Sequence, residues 1–378
     1  MADGLLPGDH RAAAIATIGT WLMDDLGALP LGTDVLWAYA GDATDGWRLG
    51  FEAVDRQVVV DLVVTSDFPY AKPQLFWVNA PAFPSIPHIE PNGRICILNA
   101  AATIDPLEPV KVASTLLADA EDVIATGLRG DNHDDFRTEF RSYWNEVAKG
   151  RDVISIVDPC EASRTVWGWV GKDIIVIAEE RRSLRHWLRN ALGKNAADNS
   201  IIPVPLLWLR QPLAPQEYPR CETELAAIAA SIDPGAVQIY EAAISDEVEA
   251  NLVLLGAPLP DGGACFGAVT LARRSTRFPR ADRRVKGFRS NVPQSLLRLA
   301  RRQDAVTLSP VARADPWWVH GRDAQDDLEE LLGASITMIG CGSLGSPIAR
   351  LLAQAGVGEI NLIGPERVTV ANVGRHGL

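Results

Sequence analysis

The stretch PHIEPNGRICIL spans residues 87–98 and places Pro91-Asn92-Gly93 just before a cysteine, Cys96, that lies between two isoleucines. Pro, Asn and Gly favour tight turns. The cysteine has two interpretations: it fills a hydrophobic core, or it is a nucleophile at the mouth of a shallow groove. A turn beside a buried isoleucine pair supplies rigid backbone for an exposed sulfur. From this stretch alone both interpretations remain open.

The segments around this stretch predict one α+β domain over residues 1–150. Apolar positions at helical spacing predict an N-terminal helix, and β-branched or aromatic runs between turn residues predict a four-strand meander after it. A long loop at 79–108, rich in Pro, Asn and Gly, then carries Cys96. The predicted helices are 9–27, 110–128 and 134–150, and the predicted strands are 34–41, 47–54, 57–64 and 74–78. Helix, meander, loop and helices in this order are typical of an α+β domain.

Motifs on both sides of Cys96 resemble those of the ubiquitin-conjugating enzymes, which have the UBC fold. DFPYAKP (67–73) is similar to their bend, FPSIPHIEPNGRIC (83–96) to the approach to the cysteine, and IDPLEPVKVASTLL (104–117) to the helix after it. The resemblance covers roughly residues 5–150, and DFRTEFRSYW (135–144) is more similar to the bacterial branch. It implies that the thiolate of Cys96 accepts an acyl group as a thioester and passes it to an amine.

The same resemblance makes His88 and Asp105 candidate catalytic residues. Eukaryotic members carry His-Pro-Asn, with the Asn eight residues before the cysteine, and this chain has Ile86-Pro87-His88 there. His88 would stabilise the oxyanion, hold the loop or act as a base on the acceptor amine; alternatively it is a loop histidine bonded to backbone. Asp105 would orient or deprotonate an acceptor lysine; alternatively it is a turn or helix-cap aspartate before Pro106.

Residues 151–325 are predicted to form an α/β linker domain without a catalytic motif. Strands are expected at 165–170, 173–178, 205–210, 251–257 and 265–272, and helices at 181–192 and 222–232. Residues 273–302 hold eleven Arg or Lys and a single acid, Asp282. This stretch is either a solvated face or a docking surface for an acidic partner or a nucleotide.

The segment 334–363 predicts a strand, a glycine turn, a helix and a second strand, the first half of a Rossmann-like unit. Gly340, Gly342 and Gly345 form a GxGxxG pattern, whose glycines let phosphates approach the helix N-terminus. Taken alone, the pattern suits a nicotinamide-dependent enzyme equally well. Cys341 is interpreted as a small filler within the turn.

The continuation GVGEINLIGPERVTVANVGRH (356–376) resembles the adenylating domain of ubiquitin-activating enzymes and their ThiF-type relatives. The resemblance implies that Asn372 and Arg375 contact ATP phosphates and magnesium. It also requires an acid after the second strand, where this chain has Gly364; Glu366 is the candidate replacement. We expect residues 326–378 to be an incomplete adenylation domain, so that ATP and Mg act only with the complete domain.

Composition sets limits on the class of protein. The 378 residues have a net charge of −12, which argues against bulk nucleic-acid binding, and no apolar run predicts a membrane span. Five scattered cysteines without a CxxC pair predict a cytoplasmic protein with neither a disulfide framework nor a metal site.

The two resemblances together predict a bacterial fused conjugation enzyme, as in CBASS anti-phage operons. A protein C-terminus would be adenylated, carried by Cys96 and delivered to an amine on a target. The implied partners are a ubiquitin-like protein or a CD-NTase-like nucleotidyltransferase, with a JAB-type peptidase in the same operon; a homodimer is one oligomeric option. The competing hypothesis is a non-catalytic scaffold that binds a protein tail and has a degenerate nucleotide site.

Overall fold

The contacts of the chain divide it into two compact units, Met1–Phe136 and Arg137–Leu378. The computed structural model describes residues 7–39, 42–97, 104–195, 200–244, 250–260, 262–272, 305–321, 328–364, 369–370 and 373. The elements of the first unit are α1 (Pro7–Leu26), β1 (Leu29–Pro30), α2 (Thr33–Leu36), β2 (Ala43–Ala53), β3 (Arg56–Thr65), β4 (Gln74–Trp77) and α3 (Pro109–Arg129), and α4 (Asp135–Thr138) begins at its end.

The first unit is built on an antiparallel sheet with strand order β1-β2-β3-β4. Alternate β3 residues, among them Val58, Val60 and Leu62, are buried in one core cluster with side chains of α1 and α3. Val54 and Asp55 join β2 to β3, and both have positive φ, 48° and 57°. Two positive φ values are typical of the hairpin turn that matches strand twist. The predicted α+β order is present.

The prediction of a strand at 34–41 is wrong, because the structure places α2 at Thr33–Leu36 instead. Leu36 is buried with residues of the outer face of the sheet, and Tyr39 packs on the same cluster. The Tyr39 hydroxyl donates to Asp61, which also accepts two hydrogen bonds of 2.7 Å from Arg48. Burial of Leu36 over the sheet therefore outweighs the β propensity of this short run.

The second unit contains an eight-stranded mixed sheet among its described residues, with strand order β11-β10-β9-β8-β6-β7-β5-β12. All the strands and helices predicted for residues 151–325 are present. The helices are α5 (Phe140–Val147), α6 (Arg181–Leu192), α7 (Glu222–Ile232), α8 (Pro234–Ala243), α9 (Leu328–Gly333) and α10 (Gly345–Gln354). The strands are β5 (Asp152–Ser155), β6 (Arg164–Val170), β7 (Ile174–Ala178), β8 (Ile201–Trp208), β9 (Ala250–Pro258), β10 (Ala264–Ala272), β11 (Val306–Ser309), β12 (Val311–Arg313), β13 (Ser335–Ile339) and β14 (Glu359–Ile363).

The helix predicted at 134–150 is two helices, α4 and α5, and α5 belongs to the second compact unit. Trp144 of α5 is fully buried, and its indole nitrogen donates to the Ser309 carbonyl at 2.9 Å. A Cβ added at Gly267 would lie 2.7 Å from the Trp144 ring, so glycine makes room for it. The predicted domain boundary at 150 thus differs from the division at Phe136, because the aromatic side chains of α5 are needed in this core. The predicted boundary at 325 stays a prediction.

Candidate functional site: an exposed cysteine on a hairpin and a glycine turn

Cys96 ends a short hairpin that is fixed by backbone hydrogen bonds. Ile89 pairs with Ile95 in antiparallel fashion, and the Cys96 amide donates to the His88 carbonyl at 2.7 Å. The Ile95 amide donates to the Leu75 carbonyl of β4 at 2.8 Å, which joins the hairpin to the sheet. Because these bonds involve main-chain atoms, they position the backbone of Cys96 independently of its side chain.

The turn of the hairpin requires glycine at position 93. Gly93 has φ of 82°, and a Cβ there would lie 2.6 Å from the Trp77 carbonyl oxygen. The Gly93 amide donates to the Glu90 carbonyl, and its own carbonyl accepts from the Trp77 amide, both at 2.8 Å. Left-handed backbone and close approach to a neighbouring strand are both conditions that favour glycine. The predicted Pro91-Asn92-Gly93 turn is therefore present.

The side chain of Cys96 is exposed, whereas Ile95 beside it is buried in the core. The alternative of a buried structural thiol at position 96 therefore does not apply. Cys265 of the second unit shows the contrast: burial raises the pKa of its thiol to about 12. A thiolate is the reactive form, so at neutral pH the buried thiol is inert. The role of Cys96 as nucleophile stays a prediction that its exposure permits.

His88 is near Cys96 through its main chain, but its ring is buried. The ring is 4% exposed, and Nε2 lies 2.9 Å from Oδ2 of Asp135. The backbone at His88 has φ of 63°, a left-handed conformation that is uncommon for histidine. Access of an acceptor amine to a buried ring is poor, and the predicted roles of His88 toward the oxyanion and the amine stay predictions. Sequence analysis missed Asp135, which lies 47 positions from its partner without a local signal.

Asp105 is exposed, and it precedes α3 in a turn stabilised by its own side chain. Its Oδ1 accepts from the Leu107 amide at 3.0 Å, and its carbonyl accepts from the Glu108 amide at 3.1 Å. These contacts are those of the turn aspartate that was the alternative interpretation. The carboxylate remains solvent-accessible, and its predicted role toward an acceptor lysine stays a prediction.

The glycine turn of the second unit has the strand–turn–helix context that its sequence predicts. Strands β13 and β14 are parallel, and α10 lies between them in the chain. Gly340 has φ of 97°, and its amide donates to the Ile363 carbonyl at 2.7 Å. A Cβ at Gly345 would lie 1.8 Å from the Gly340 carbonyl oxygen, so the turn cannot close with a larger residue. The Gly342 carbonyl accepts from the Ser346 amide at 3.0 Å in the first turn of α10.

Gly364 directly follows β14 and has room for a side chain. A Cβ there would meet Cys341 at 3.8 Å or more, which is ordinary van der Waals contact. The absence of an acid at this position is therefore not imposed by packing. Glu366, Asn372 and Arg375, which complete the predicted nucleotide site, lie outside the described residues, as does the basic stretch 273–302.

The described part of the chain gives two further findings. Its His, Cys, Asp and Glu side chains form no group of three or more that could hold a metal ion. Over the same residues, no helix is both long and apolar enough to cross a membrane.

Comparison with known proteins assigns both segments to families. Residues 43–152 match prokaryotic E2 family B, and residues 319–378 match the ThiF family. The chain is a fusion of an E2-like segment and a ThiF-family segment. Cys96, His88 and Asp105 all lie in the E2-like segment, and the glycine turn lies in the ThiF-family segment.

Two curated relatives support this assignment. The ATP-dependent ubiquitin transferase-like protein Cap2 of Pseudomonas aeruginosa (strain BWHPSA011 / Pa011) is 21% identical over 372 residues, which cover 90% of this chain and 62% of that protein. The adenylyltransferase and sulfurtransferase MOCS3 of Sus scrofa is 46% identical over 48 residues, which cover 13% of this chain and 10% of that protein. The chain thus spans less than two thirds of the length of either relative.

Proposed function

We propose that this protein is an ATP-dependent conjugating enzyme that carries the acyl group of a protein C-terminus on Cys96. The observation that carries the proposal is the exposed sulfur at the end of a hairpin whose backbone is fixed to the sheet. The match to prokaryotic E2 family B and the similarity to a ubiquitin transferase-like protein support a role in ubiquitin-like conjugation.

The chemistry consists of two acyl transfers through one sulfur. The Cys96 thiolate attacks the carbonyl carbon of an incoming thioester; the new carbon–sulfur bond forms, and the donor sulfur leaves as a thiolate. An acceptor amine then attacks the same carbonyl carbon and loses a proton, the amide forms, and Cys96 is released as a thiolate. Splitting the transfer in this way replaces one difficult step by two easier ones.

The ThiF-family match implies use of ATP, which would supply the energy to activate the carboxyl group. The glycine turn fits a phosphate, because Gly340 and Gly345 approach closely at the start of a helix. Glu366, Asn372 and Arg375 complete the proposed nucleotide site. We propose that Mg binds there together with ATP.

The biological setting belongs to the same proposal. We propose that the conjugated partner is a ubiquitin-like protein or a CD-NTase-like nucleotidyltransferase in a bacterial anti-phage operon. Such a system would operate in the cytoplasm, and a JAB-type peptidase would reverse the modification.

A synthetic thioester tests the acyl-carrier role of Cys96 separately from ATP. The protein is incubated with a short peptide that carries a C-terminal glycine thioester of mercaptoethanesulfonate. We expect an adduct on Cys96 by mass spectrometry that dithiothreitol removes. The adduct should be lost in Cys96→Ala and retained in Cys160→Ala, the matched control, because Cys160 is also exposed. No adduct on the wild-type protein, or an unchanged adduct in Cys96→Ala, contradicts the proposal.

A second candidate function is a scaffold that binds a protein tail without chemistry. Gly364 favours it, since the position where the ThiF-type pattern requires an acid has none although a side chain would fit. The scaffold predicts that tail affinity, measured by titration calorimetry, is the same with and without ATP and in Cys96→Ala. An ATP-dependent adduct on Cys96 rules it out.

A further inference from the structure

His88 contacts Cys96 through its main chain, and its ring makes a specific contact elsewhere. The His88 carbonyl accepts the Cys96 amide at 2.7 Å, while Nε2 of the ring meets Oδ2 of Asp135 at 2.9 Å. The ring is 4% exposed and the Asp135 side chain 42% exposed. The carboxylate thus lies at the surface and holds a buried ring from outside.

The contact with Asp135 determines which nitrogen of the His88 ring carries hydrogen. A carboxylate only accepts hydrogen bonds, so Nε2 is the protonated nitrogen and donates to it. That nitrogen has no lone pair with which to remove a proton from an acceptor amine. In this arrangement Nε2 therefore does not act as a base on the acceptor amine.

The backbone of His88 needs such an anchor. Its φ of 63° lies in the left-handed region, where residues other than glycine and asparagine are under strain. A strained conformation persists only where the surrounding structure holds it. His88 also carries the carbonyl that accepts from the Cys96 amide, so a backbone rotation at His88 would move that acceptor.

We propose that His88 and Asp135 are positioning residues for Cys96. Asp135 holds the His88 ring, the ring holds the left-handed backbone, and the backbone carbonyl fixes the Cys96 amide and thereby the direction of the sulfur. The role rests on the proposed function, since it concerns the same sulfur, but the geometry of the clamp is testable without any acyl transfer.

The first experiment measures the clamp itself, as hydrogen exchange of the Cys96 amide by NMR. Asp135→Ala should speed this exchange by about tenfold, the factor expected for the loss of one hydrogen bond. Asp135→Asn keeps an oxygen that accepts from Nε2 and should stay within about twofold of the wild type. Asp134→Ala removes the adjacent exposed acid and is the matched control. Unchanged exchange in Asp135→Ala overturns the proposal, whatever the protein's activity.

The second experiment measures the consequence, as the rate of acyl transfer from the glycine thioester to Cys96. We expect Asp135→Ala to lower the maximal rate by about tenfold without changing the half-saturating thioester concentration, under conditions where circular dichroism shows the variant to be folded. Asp135→Asn should restore the rate. His88→Asn tolerates the left-handed backbone but lacks the ring, so it should lower the rate. The double variant His88→Asn with Asp135→Ala should be no slower than His88→Asn alone, because Asp135 acts only through the His88 ring.

The outcomes separate the two proposals. Faster exchange with an unchanged transfer rate, or additive losses in the double variant, overturns the positioning role and leaves the acyl carrier intact. Failure of the wild type to accept the acyl group rejects the proposed function, and it rejects the positioning role with it. If Asp135→Ala speeds amide exchange and slows acyl transfer, and Asp135→Asn restores both values, the positioning role and the proposed function are both supported.

Discussion

The glycine at position 93 offers a direct test of how the cysteine hairpin is held. Gly93→Ala should destabilise the first unit more than Gly130→Ala does, although the two glycines have nearly the same backbone conformation, with φ of 82° and 80°. A Cβ at Gly130 meets nothing within 4 Å, whereas a Cβ at Gly93 would lie 2.6 Å from the Trp77 carbonyl oxygen. The difference between the two variants therefore isolates the close approach from the backbone strain.

The expected magnitude follows from these two effects. Placing alanine in the left-handed region costs about 1–2 kcal/mol, and both variants share this cost. At Gly93 the clash must also displace the backbone that carries the Trp77–Gly93 hydrogen bond of 2.8 Å. Losing that bond adds about 1 kcal/mol, so we expect about 2–3 kcal/mol for Gly93→Ala in all.

The assay is hydrogen exchange by mass spectrometry at increasing urea concentration, read from peptides within residues 43–97. Peptides of this range report on the first unit alone, so the second unit does not contribute to the measured free energy of unfolding. Cys96 in the Gly93→Ala protein should also show faster amide exchange, because the hairpin turn is displaced. A difference below about 0.5 kcal/mol between the two variants, which is the scale of an ordinary surface substitution, would refute the reasoning.

Three further predictions test other parts of the structure. Gly345→Ala should unfold the region 335–363 locally, because its Cβ would lie 1.8 Å from a carbonyl oxygen, while Gly333→Ala, with nothing within 4 Å, should not; limited proteolysis compares them. Burial and the hydrogen bond to Asp61 raise the pKa of Tyr39 to about 12. The neutral phenol therefore stabilises the fold below pH of about 10, and this contribution falls as pH rises from about 10 to 12. Unfolding midpoints in that window should fall more steeply in the wild type than in Tyr39→Phe. Iodoacetamide at neutral pH should leave Cys265 unmodified in the folded protein and modify it in urea, as peptide mass spectrometry would show.

Local patterns predicted most elements of the fold because their signals are contained within a few residues. The β-branched run QVVVDLVV (57–64) predicts the strand that the structure has, and the spacing of apolar residues predicts α3 within one residue of its ends. The glycine turn at 340–345 is likewise local, since the steric needs of a tight turn act between near neighbours. The strand predicted at 34–41 was wrong, because Leu36 packs on residues that are far away in the chain and no local pattern reports that contact.

The sequence alone determined the periodic helices and strands, the two glycine-dependent turns and the identity of a reactive residue type at position 96, since each depends on neighbouring residues. Only the tertiary structure decided that the sulfur is exposed, that the His88 ring faces Asp135 and that Trp144 completes the core of the second unit. These facts depend on contacts between residues distant in sequence, and burial and hydrogen bonding are settled by the packed chain as a whole.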